Sequence, residues 1–193
     1  MIALWAEVLL AVPGSRLLLK SLGFGSASAR ERYLGLFATL GIGPERIELQ
    51  GKSSHAEYLA TYSRVDIGLD PFPFNGGTVT AESLWMGVPQ VTLAGDRPVG
   101  RMGAAQLGTL GLSDLVARTP AEYVRIAADL AGDLPRLAGL RRDLRERLQA
   151  SPLGDVPAFT RDLEAAYRSL WQQWCGGRGE SGELRVASEE GQG

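Results

Sequence analysis

The chain has few of the side chains that build covalent or metal-bound frameworks. Its 193 residues include one cysteine, Cys175, and one histidine, His55. A disulfide framework within the chain is therefore excluded, and one thiol with one imidazole is too few ligands for an ordinary zinc site. Nothing near Cys175 in the sequence would activate its thiol, so we interpret it as inert. This cysteine usage favours a cytoplasmic location.

Strong net charge and long apolar runs are also missing. The formal net charge is −2, so no global field favours nucleic acid or an anionic membrane. The apolar N-terminal stretch contains Glu7, lacks a basic start and breaks at Val12-Pro13. It is therefore too short to span a bilayer and unlike a signal peptide, and we interpret it as an amphipathic helix. We expect neither nucleic acid nor a membrane as a partner.

Short apolar runs alternate with amphipathic stretches along the first half of the chain. The pattern predicts strands at Arg16–Lys20, Arg46–Gln50, Val65–Leu69 and Gln90–Leu93. It predicts helices near the N-terminus and at Ala27–Leu40, His55–Tyr62 and Thr78–Met86, then, after Arg101, at Pro120–Leu130, Leu134–Leu148 and Pro157–Trp174. Such alternation with short connections indicates an α/β fold with a doubly wound, Rossmann-like parallel sheet. We expect one domain over residues 1–175 with helices at its C-terminal end, and a disordered tail at 176–193.

The segment from Asp66 to Leu93 is the most informative part of the chain. It reads as a strand, a Gly/Pro-rich loop at Asn75-Gly76-Gly77-Thr78, the start of a helix and a second strand. Paired glycines allow close backbone approach, and a helix N-terminus at a strand end can bind a phosphate. Glu82, one turn beyond Thr78, could hold a ribose diol. The alternative is a tight strand-to-helix turn with an ordinary cap and a favourably placed first-turn carboxylate.

Three more polar residues are predicted near this edge of the sheet. Lys20 ends a strand, His55 starts a helix just after a strand, and Arg101 opens a helix after a turn. The carboxyl ends of parallel strands are where α/β proteins bind ligands, so each could contact a nucleotide. The alternatives are a solvated lysine, a surface histidine near a helix cap and a structural arginine.

Several separated motifs resemble one enzyme family over roughly residues 1–175. They are SHAEY from Ser54, DIGLDPFPFNGGT from Asp66, ESLWMGVP from Glu82, VTLAGDR from Val91, SPL from Ser151, FTRDLEAAY from Phe159 and WQQWC from Trp171. In this order they resemble the bacterial O-GlcNAc transferase/SPINDLY-type protein glycosyltransferases. The resemblance implies a GT-B enzyme, in which two Rossmann-like domains face each other, usually behind an array of helical repeats. This chain resembles the C-terminal, donor-binding half.

The resemblance also implies a function. UDP-GlcNAc would be the donor, Ser or Thr of a protein the acceptor, and no metal or other cofactor would be needed. His55 would contact the nucleotide, Gly77, Thr78 and Val79 would form the phosphate-binding turn, and Glu82 would hold the ribose. The catalytic residues are unknown, because the groups that handle the acceptor proton belong to the N-terminal half. That half and the helical repeats are therefore expected partners, and we expect the chain alone to be an incomplete enzyme.

Some positions depart from the family pattern. Val79 stands where many relatives have a second threonine, Gly77 where animal relatives have histidine, and Pro98-Val99-Gly100 where His-Ala-Ser is expected. Glycine at position 77 is expected in bacterial relatives, whereas Val79, Pro98-Val99-Gly100 and the absent N-terminal half favour, as an alternative, a non-catalytic nucleotide-binding or interaction module. A relative that uses another donor, such as GDP-fucose, is a further alternative. The last helix carries a face of large apolar residues, which predicts a partner surface.

Overall fold

A computed structural model describes residues 1–177 of the chain. Its contacts divide the chain into two compact units, Met1–Gly154 and a second that begins at Asp155, and each is described by itself. The expectation of one domain over residues 1–175 stays a prediction. The predicted tail lies outside the described residues from position 178 onward, whereas Gly176 and Gly177 belong to the last helix.

The described residues form eight α-helices and five β-strands. In chain order they are α1 Ile2–Ala11, β1 Leu17–Lys20, α2 Ala27–Ala38, β2 Ile47–Gln50, α3 His55–Thr61, β3 Gly68–Leu69, α4 Thr78–Trp85, β4 Gln90–Leu93, α5 Met102–Thr109, β5 Val116–Ala117, α6 Pro120–Gly132, α7 Leu134–Gln149 and α8 Val156–Gly177. Helices alternate with strands up to α6, as the sequence pattern predicts.

The strands form two separate parallel sheets, here called the first and the second ladder. In one, β1 pairs with β2 so that Lys20 lies opposite Gln50. In the other, β4 lies between β3 and β5, and Leu69 is opposite Val91. The strands of a parallel ladder end at the same edge, so each ladder presents its following loops and helix N-termini together. The predicted α/β fold with parallel strands is therefore confirmed.

Two hydrophobic clusters pack against the strands and fix the position of the strand ends. The larger lies around β4 and contains the fully buried Val91, Leu107 and Leu115. The smaller lies around β2 and contains Phe37 and Ile47. Trp5 of α1 packs against both clusters, as does Leu69 at the end of β3. Their shared neighbours hold the two ladders in one packed unit, which fixes the loops at the strand ends.

Two strands differ from the sequence prediction. The strand predicted at Val65–Leu69 is reduced to Gly68–Leu69, because the backbone N–H of Val65 closes a 3₁₀ turn onto the Tyr62 carbonyl at 3.2 Å. Strand β5 was not predicted, since two residues are too few to show a period. It adds an edge to the second ladder beyond β4.

Helix α8 confirms the long C-terminal helix predicted from its apolar stripe. Its large apolar side chains are exposed, with Phe159 at 64%, Leu170 at 60% and Trp171 at 64%. No helix within residues 1–177 is both long and apolar enough to cross a bilayer.

Candidate functional site

The site begins at the N-terminal turn of α4, directly after the loop that follows β3. Gly77 is the N-cap residue, and Thr78 and Val79 of the first turn are exposed. Among the described residues, no side chain accepts a hydrogen bond from the N–H groups at this cap. The first N–H groups of a helix lack partners within the helix, so those of α4 remain open to an anion.

A buried carboxylate holds the loop in front of this turn. Asp70 is only 2% exposed, and its Oδ1 accepts the Gly76 N–H at 2.7 Å. The Thr92 hydroxyl of β4 donates to Oδ2 at 2.6 Å. Burial raises the pKa of Asp70, while the hydrogen bonds from Thr92 and Gly76 oppose the rise. Asp70 thus links the turn at Gly76, just before α4, to β4, the middle strand of the second ladder.

Sequence reasoning missed Asp70 as a site residue. The signal was available, because an acidic residue directly after a strand and before Pro71 is placed at the ligand-binding edge of an α/β sheet. Its role is to shape the loop, since it lies beneath the turn and is shielded from solvent.

Glycines allow the elements around Asp70 to approach closely. A Cβ on Gly76 would lie 2.6 Å from the Thr80 hydroxyl, and a Cβ on Gly103 of α5 would overlap the Asp70 and Thr92 oxygens. Helix α5 therefore packs directly on the Asp70 network. From the same helix, Gln106 Nε2 donates to the Gly77 carbonyl at 3.1 Å and fixes the cap residue.

Asn75 lies under the loop and is fully buried. Its backbone N–H donates to the Val99 carbonyl and its side-chain Nδ2 to the Pro71 carbonyl, each at 3.0 Å. Its Oδ1 has no hydrogen-bond partner among residues 1–177. The structure thus brings the predicted Asn75, Gly76, Gly77 and Thr78 together, with Asn75 on the inner side of the loop.

Glu82 lies one turn along α4, half-buried, beside two tyrosines that sequence reasoning did not single out. The hydroxyls of Tyr58 and Tyr62 are 2.6 Å apart, and the Tyr62 hydroxyl is 3.4 Å from the Val79 carbonyl. Burial, the bond to Tyr62 and the nearby Glu82 carboxylate together raise the pKa of Tyr58. Helix α3 therefore contacts the first turns of α4 through these hydroxyls.

His55 and Lys20 both lie near the N-terminal turn of α3. The predicted capping box is present: the Ser54 hydroxyl accepts the Glu57 N–H at 3.3 Å, and Glu57 accepts the Ser54 N–H at 2.9 Å. These Ser54 bonds and the charge of Lys20 lower the pKa of Glu57, which places Lys20 near this turn. His55 is exposed, and its ring centroid lies 6.0 Å from that of Tyr58.

Lys20 and Arg101 are both held by carbonyl oxygens in the structure. Lys20 Nζ lies 3.3 Å from Gln50 Oε1 and 3.4 Å from the Gly51 carbonyl. The exposed Arg101 guanidinium donates to the Gly95 carbonyl at 3.1 Å. Arg101 immediately precedes Met102, the residue that a Cβ on Gly77 would face, so it lies near the α4 turn.

Away from this edge, a surface groove of about 550 Å³ runs beside β5 and α6. Its charged residues are Asp114, Arg118, Glu122, Arg125, Asp129 and Arg136. The acids and bases are equal in number, and Arg125 pairs with Asp129 and Arg136 with Asp114. A balanced groove of paired charges does not favour a diphosphate, so we place the candidate site at α4. No group of three or more His, Cys, Asp or Glu within residues 1–177 could hold a metal ion.

Fold and site together define a Rossmann-like α/β domain with an open helix N-terminus at the strand ends and a carboxylate one turn further on. Comparison with known proteins then gives the family. The model of glycosyl transferase family 41 matches residues 1–163, so the chain belongs to this family of glycosyltransferases. The family resemblance inferred from the sequence motifs is confirmed.

The chain is similar to much longer proteins. It is 45% identical over 174 residues to the probable UDP-N-acetylglucosamine--peptide N-acetylglucosaminyltransferase SPINDLY of Petunia hybrida, covering 90% of this chain and 19% of that protein. It is 30% identical to the UDP-N-acetylglucosamine--peptide N-acetylglucosaminyltransferase of Caenorhabditis elegans, covering 90% of this chain and 15% of that protein. The chain therefore spans about a fifth or less of these curated relatives.

A solved structure supports the same assignment. A mutant of the Thermobaculum terrenum O-GlcNAc transferase matches with a TM-score of 0.86 and 40% identity, over 91% of this chain and 34% of that one. The predicted fold class, the C-terminal part of a GT-B glycosyltransferase, is thereby confirmed. The individual site residues stay predictions.

Proposed function

We propose that the chain is the donor-binding part of a protein O-GlcNAc transferase-like enzyme, which binds UDP-GlcNAc and, when complete, transfers the sugar to Ser or Thr of a protein. The observation that carries the proposal is the open N-terminus of α4, held by Asp70 and followed one turn later by Glu82. The names of the relatives in Petunia hybrida and Caenorhabditis elegans support this donor and a peptide acceptor.

In this proposal the diphosphate lies on the first turn of α4. The N–H groups of Gly77, Thr78 and Val79 and the positive end of the helix dipole would stabilise the negative charge of the leaving UDP. The acceptor hydroxyl attacks the anomeric carbon, the bond to the β-phosphate oxygen breaks, and UDP leaves with the electron pair. Residues outside this chain would take the acceptor proton. We propose that the chain needs no metal for its part.

The nucleoside would lie toward α3. Glu82 would accept hydrogen bonds from the two ribose hydroxyls, and His55, exposed at the start of α3, would contact the nucleotide. Lys20 and Arg101 would have to exchange their carbonyl partners for phosphate oxygens. Such an exchange is favourable, because a bond from a cation to a phosphate is stronger than one to a carbonyl.

Val79 keeps the alternative of a non-catalytic module open, since its exposed side chain brings no hydroxyl to the turn. A donor other than UDP-GlcNAc, such as GDP-fucose, is the second alternative. We propose that the N-terminal half of the complete enzyme covers apolar residues of α8, such as Phe159 and Trp171, which are exposed here. A cytoplasmic location rests on the cysteine usage alone.

The first test is calorimetric titration of the chain with UDP, GDP and UDP-GlcNAc. A Thr78→Ala/Glu82→Ala double variant should bind UDP at least tenfold more weakly, which corresponds to about 1.4 kcal/mol. The matched control is Glu31→Ala/Thr39→Ala on and beside α2, which should leave the affinity unchanged. Folded wild-type chain that does not bind UDP, or binds it equally well in the double variant, would contradict the proposal. Tighter binding of GDP would favour the GDP-sugar alternative.

A further inference from the structure

Helix α5 contacts the cap residue of α4 through one side-chain amide. Gln106 Nε2 donates to the Gly77 carbonyl at 3.1 Å, and Met102, one turn earlier on α5, is the residue that a Cβ on Gly77 would face. Gly103 of the same helix packs closely on the buried Asp70 carboxylate. Gln106 therefore reaches the α4 turn from a fixed support.

The Gly77 carbonyl and the Thr78 N–H belong to one peptide unit. This carbonyl accepts the Gln106 amide and also the Ala81 N–H at 3.2 Å, which begins the helix. A trans peptide is planar, so its C=O and N–H bonds point in opposite directions. The Thr78 N–H is therefore directed away from the Gln106 amide. Within residues 1–177 it donates to no side chain and to no backbone carbonyl.

The helix alone does not fix the orientation of this peptide. At Gly77, φ is −94° and ψ is −88°. A residue inside a regular helix has a ψ of about −42°, so the peptide that follows Gly77 is rotated from the helical orientation. Glycine has no Cβ, and many orientations of its peptide are open to it. The bond from Gln106 selects one of them.

We propose that Gln106 is a positioning residue that directs the Thr78 N–H at a phosphate of the nucleotide, an inference that rests on the proposed function. A donor that already points at an anion binds it without first losing conformational freedom. Hydrogen bonds in a chain also polarise one another, so a bond donated to the Gly77 carbonyl makes the N–H of the same peptide a stronger donor. Both effects act on the phosphates and leave the nucleoside contacts unchanged.

The Gln106 amide can serve this role in one orientation only. Nε2 faces the Gly77 carbonyl, whereas Oε1 is buried and has no hydrogen-bond partner within residues 1–177. Exchanging the two ends of the amide would set Oε1 against the Gly77 carbonyl, and two acceptors cannot bond. Among the described residues, the amide is thus anchored through Nε2 alone, so removing this donor should free the peptide.

The test compares UDP with uridine, which has the same nucleoside and no phosphate. Chemical-shift titrations of the isotope-labelled full chain measure both affinities for wild type, Gln106→Met and Gln149→Met. Methionine keeps the length of glutamine without its donor. We expect wild type to prefer UDP, and Gln106→Met to lose roughly threefold or more of that preference while its affinity for uridine is unchanged. Gln149→Met, the same change at the exposed C-terminal end of α7, is the matched control and should keep the preference.

The Thr78 amide resonance gives a second readout, which a general loss of stability would not change selectively. In wild type, UDP should shift this resonance downfield and uridine should not, and the shift should be smaller in Gln106→Met. Gln106→Ala repeats both measurements with the residue that best supports a helix, so the test does not depend on how methionine packs.

The outcomes separate this proposal from the proposed function. If either the UDP preference or the Thr78 shift kept its wild-type value in the folded Gln106 variants, the positioning role would be overturned and the proposed function would stand. An equal loss of affinity for UDP and uridine would mean a purely structural role and would also overturn it. A wild type that binds UDP no better than uridine would overturn the phosphate role of the α4 turn, and this proposal with it.

Discussion

Helices α3 and α4 both begin at the carboxyl end of a strand, but their N-termini are satisfied in different ways. The N-terminus of α3 is capped by its own side chains, through the Ser54–Glu57 box on the surface. Within the described residues, the N-terminus of α4 has no side-chain cap, and its loop is held from below by the buried Asp70. The box occupies the Ser54 and Glu57 N–H groups of α3, whereas an uncapped helix start keeps all its free N–H groups for an anion. This difference is the reason for proposing the diphosphate site at α4 and only side-chain contacts from α3.

The two helix starts also differ in how much of the molecule depends on them. The bonds of the Ser54–Glu57 box are exposed, so water can replace them when they break. The Asp70 bonds lie in the interior between β4 and α5, where a lost partner leaves a donor unsatisfied. Breaking a buried hydrogen bond costs more than breaking an exposed one. Substitutions at the α4 side should therefore have the larger effects.

The largest effect is expected for Gly103→Ala, which should lower the free energy of unfolding by about 2–3 kcal/mol. Its new methyl group would overlap the oxygens of Asp70 and Thr92 and push α5 away from the loop. Urea unfolding measures the loss, and UDP affinity should fall with it.

Gly108→Ala is the matched control for Gly103→Ala, because the same change is made on the same helix. A Cβ there would meet only the Ser113 hydroxyl, at an ordinary 3.9 Å. Alanine is a better helix former than glycine, so this variant should be about 0.5–1 kcal/mol more stable than wild type. Equal effects of the two substitutions would mean that the Asp70 network does not limit the packing of α5.

Ser54→Ala should have an intermediate effect. It removes the hydroxyl that caps α3, and loss of an N-cap side chain costs about 1 kcal/mol. Because the cap lies at the surface and leaves α4 untouched, UDP affinity should change less than twofold. Unfolding in urea and calorimetric titration of the same variant separate the two effects. A large loss of UDP affinity with unchanged stability would show that the α3 N-terminus itself contacts the ligand. Ser53→Ala, one residue earlier, is the control.

The N-termini of α3 and α4 could both be predicted from the sequence, because their signals are local. The Ser54–Glu57 spacing defines a cap within four residues, and Gly76-Gly77 before Thr78 defines the turn. What it could not predict depends on contacts between distant residues. Asp70 meets Thr92 from the neighbouring strand, and the Tyr62 hydroxyl reaches the Val79 carbonyl of another helix, so neither pairing has a pattern in the chain.

Contacts between distant residues also determine the surroundings that differ from the sequence prediction. Asn75 belongs to the predicted loop, but whether its side chain points outward or inward depends on Pro71 and on Val99 from a distant turn. Strand β5 forms because its backbone pairs with β4. Its two residues are too few to show an alternation of apolar and polar side chains. Local sequence thus predicts the loop and helix start of the candidate site, whereas tertiary contacts decide which of its side chains are buried.

The smallest effect in this series is expected in the pH dependence of stability. Burial raises the pKa of Asp70 above its usual 3.8, although the Thr92 and Gly76 bonds oppose the rise. The folded chain then keeps this proton at pH values where the unfolded chain has released it. The Asp70 contribution to the free energy of unfolding therefore falls as the pH rises from 3.8 through the folded pKa, and is constant above it.

Asp70→Asn isolates this contribution, because an amide does not titrate and its Oδ1 can still accept the Gly76 N–H. The stability of Asp70→Asn relative to wild type should therefore increase with pH across that window and then level off. Urea unfolding of both proteins between pH 3 and 8 measures the change, and the exposed Asp66→Asn serves as the control. Parallel profiles for Asp70→Asn and wild type would mean that the two hydrogen bonds fully offset the burial of Asp70. The loop at α4 would then be held by a carboxylate whose ionisation costs the folded chain no stability.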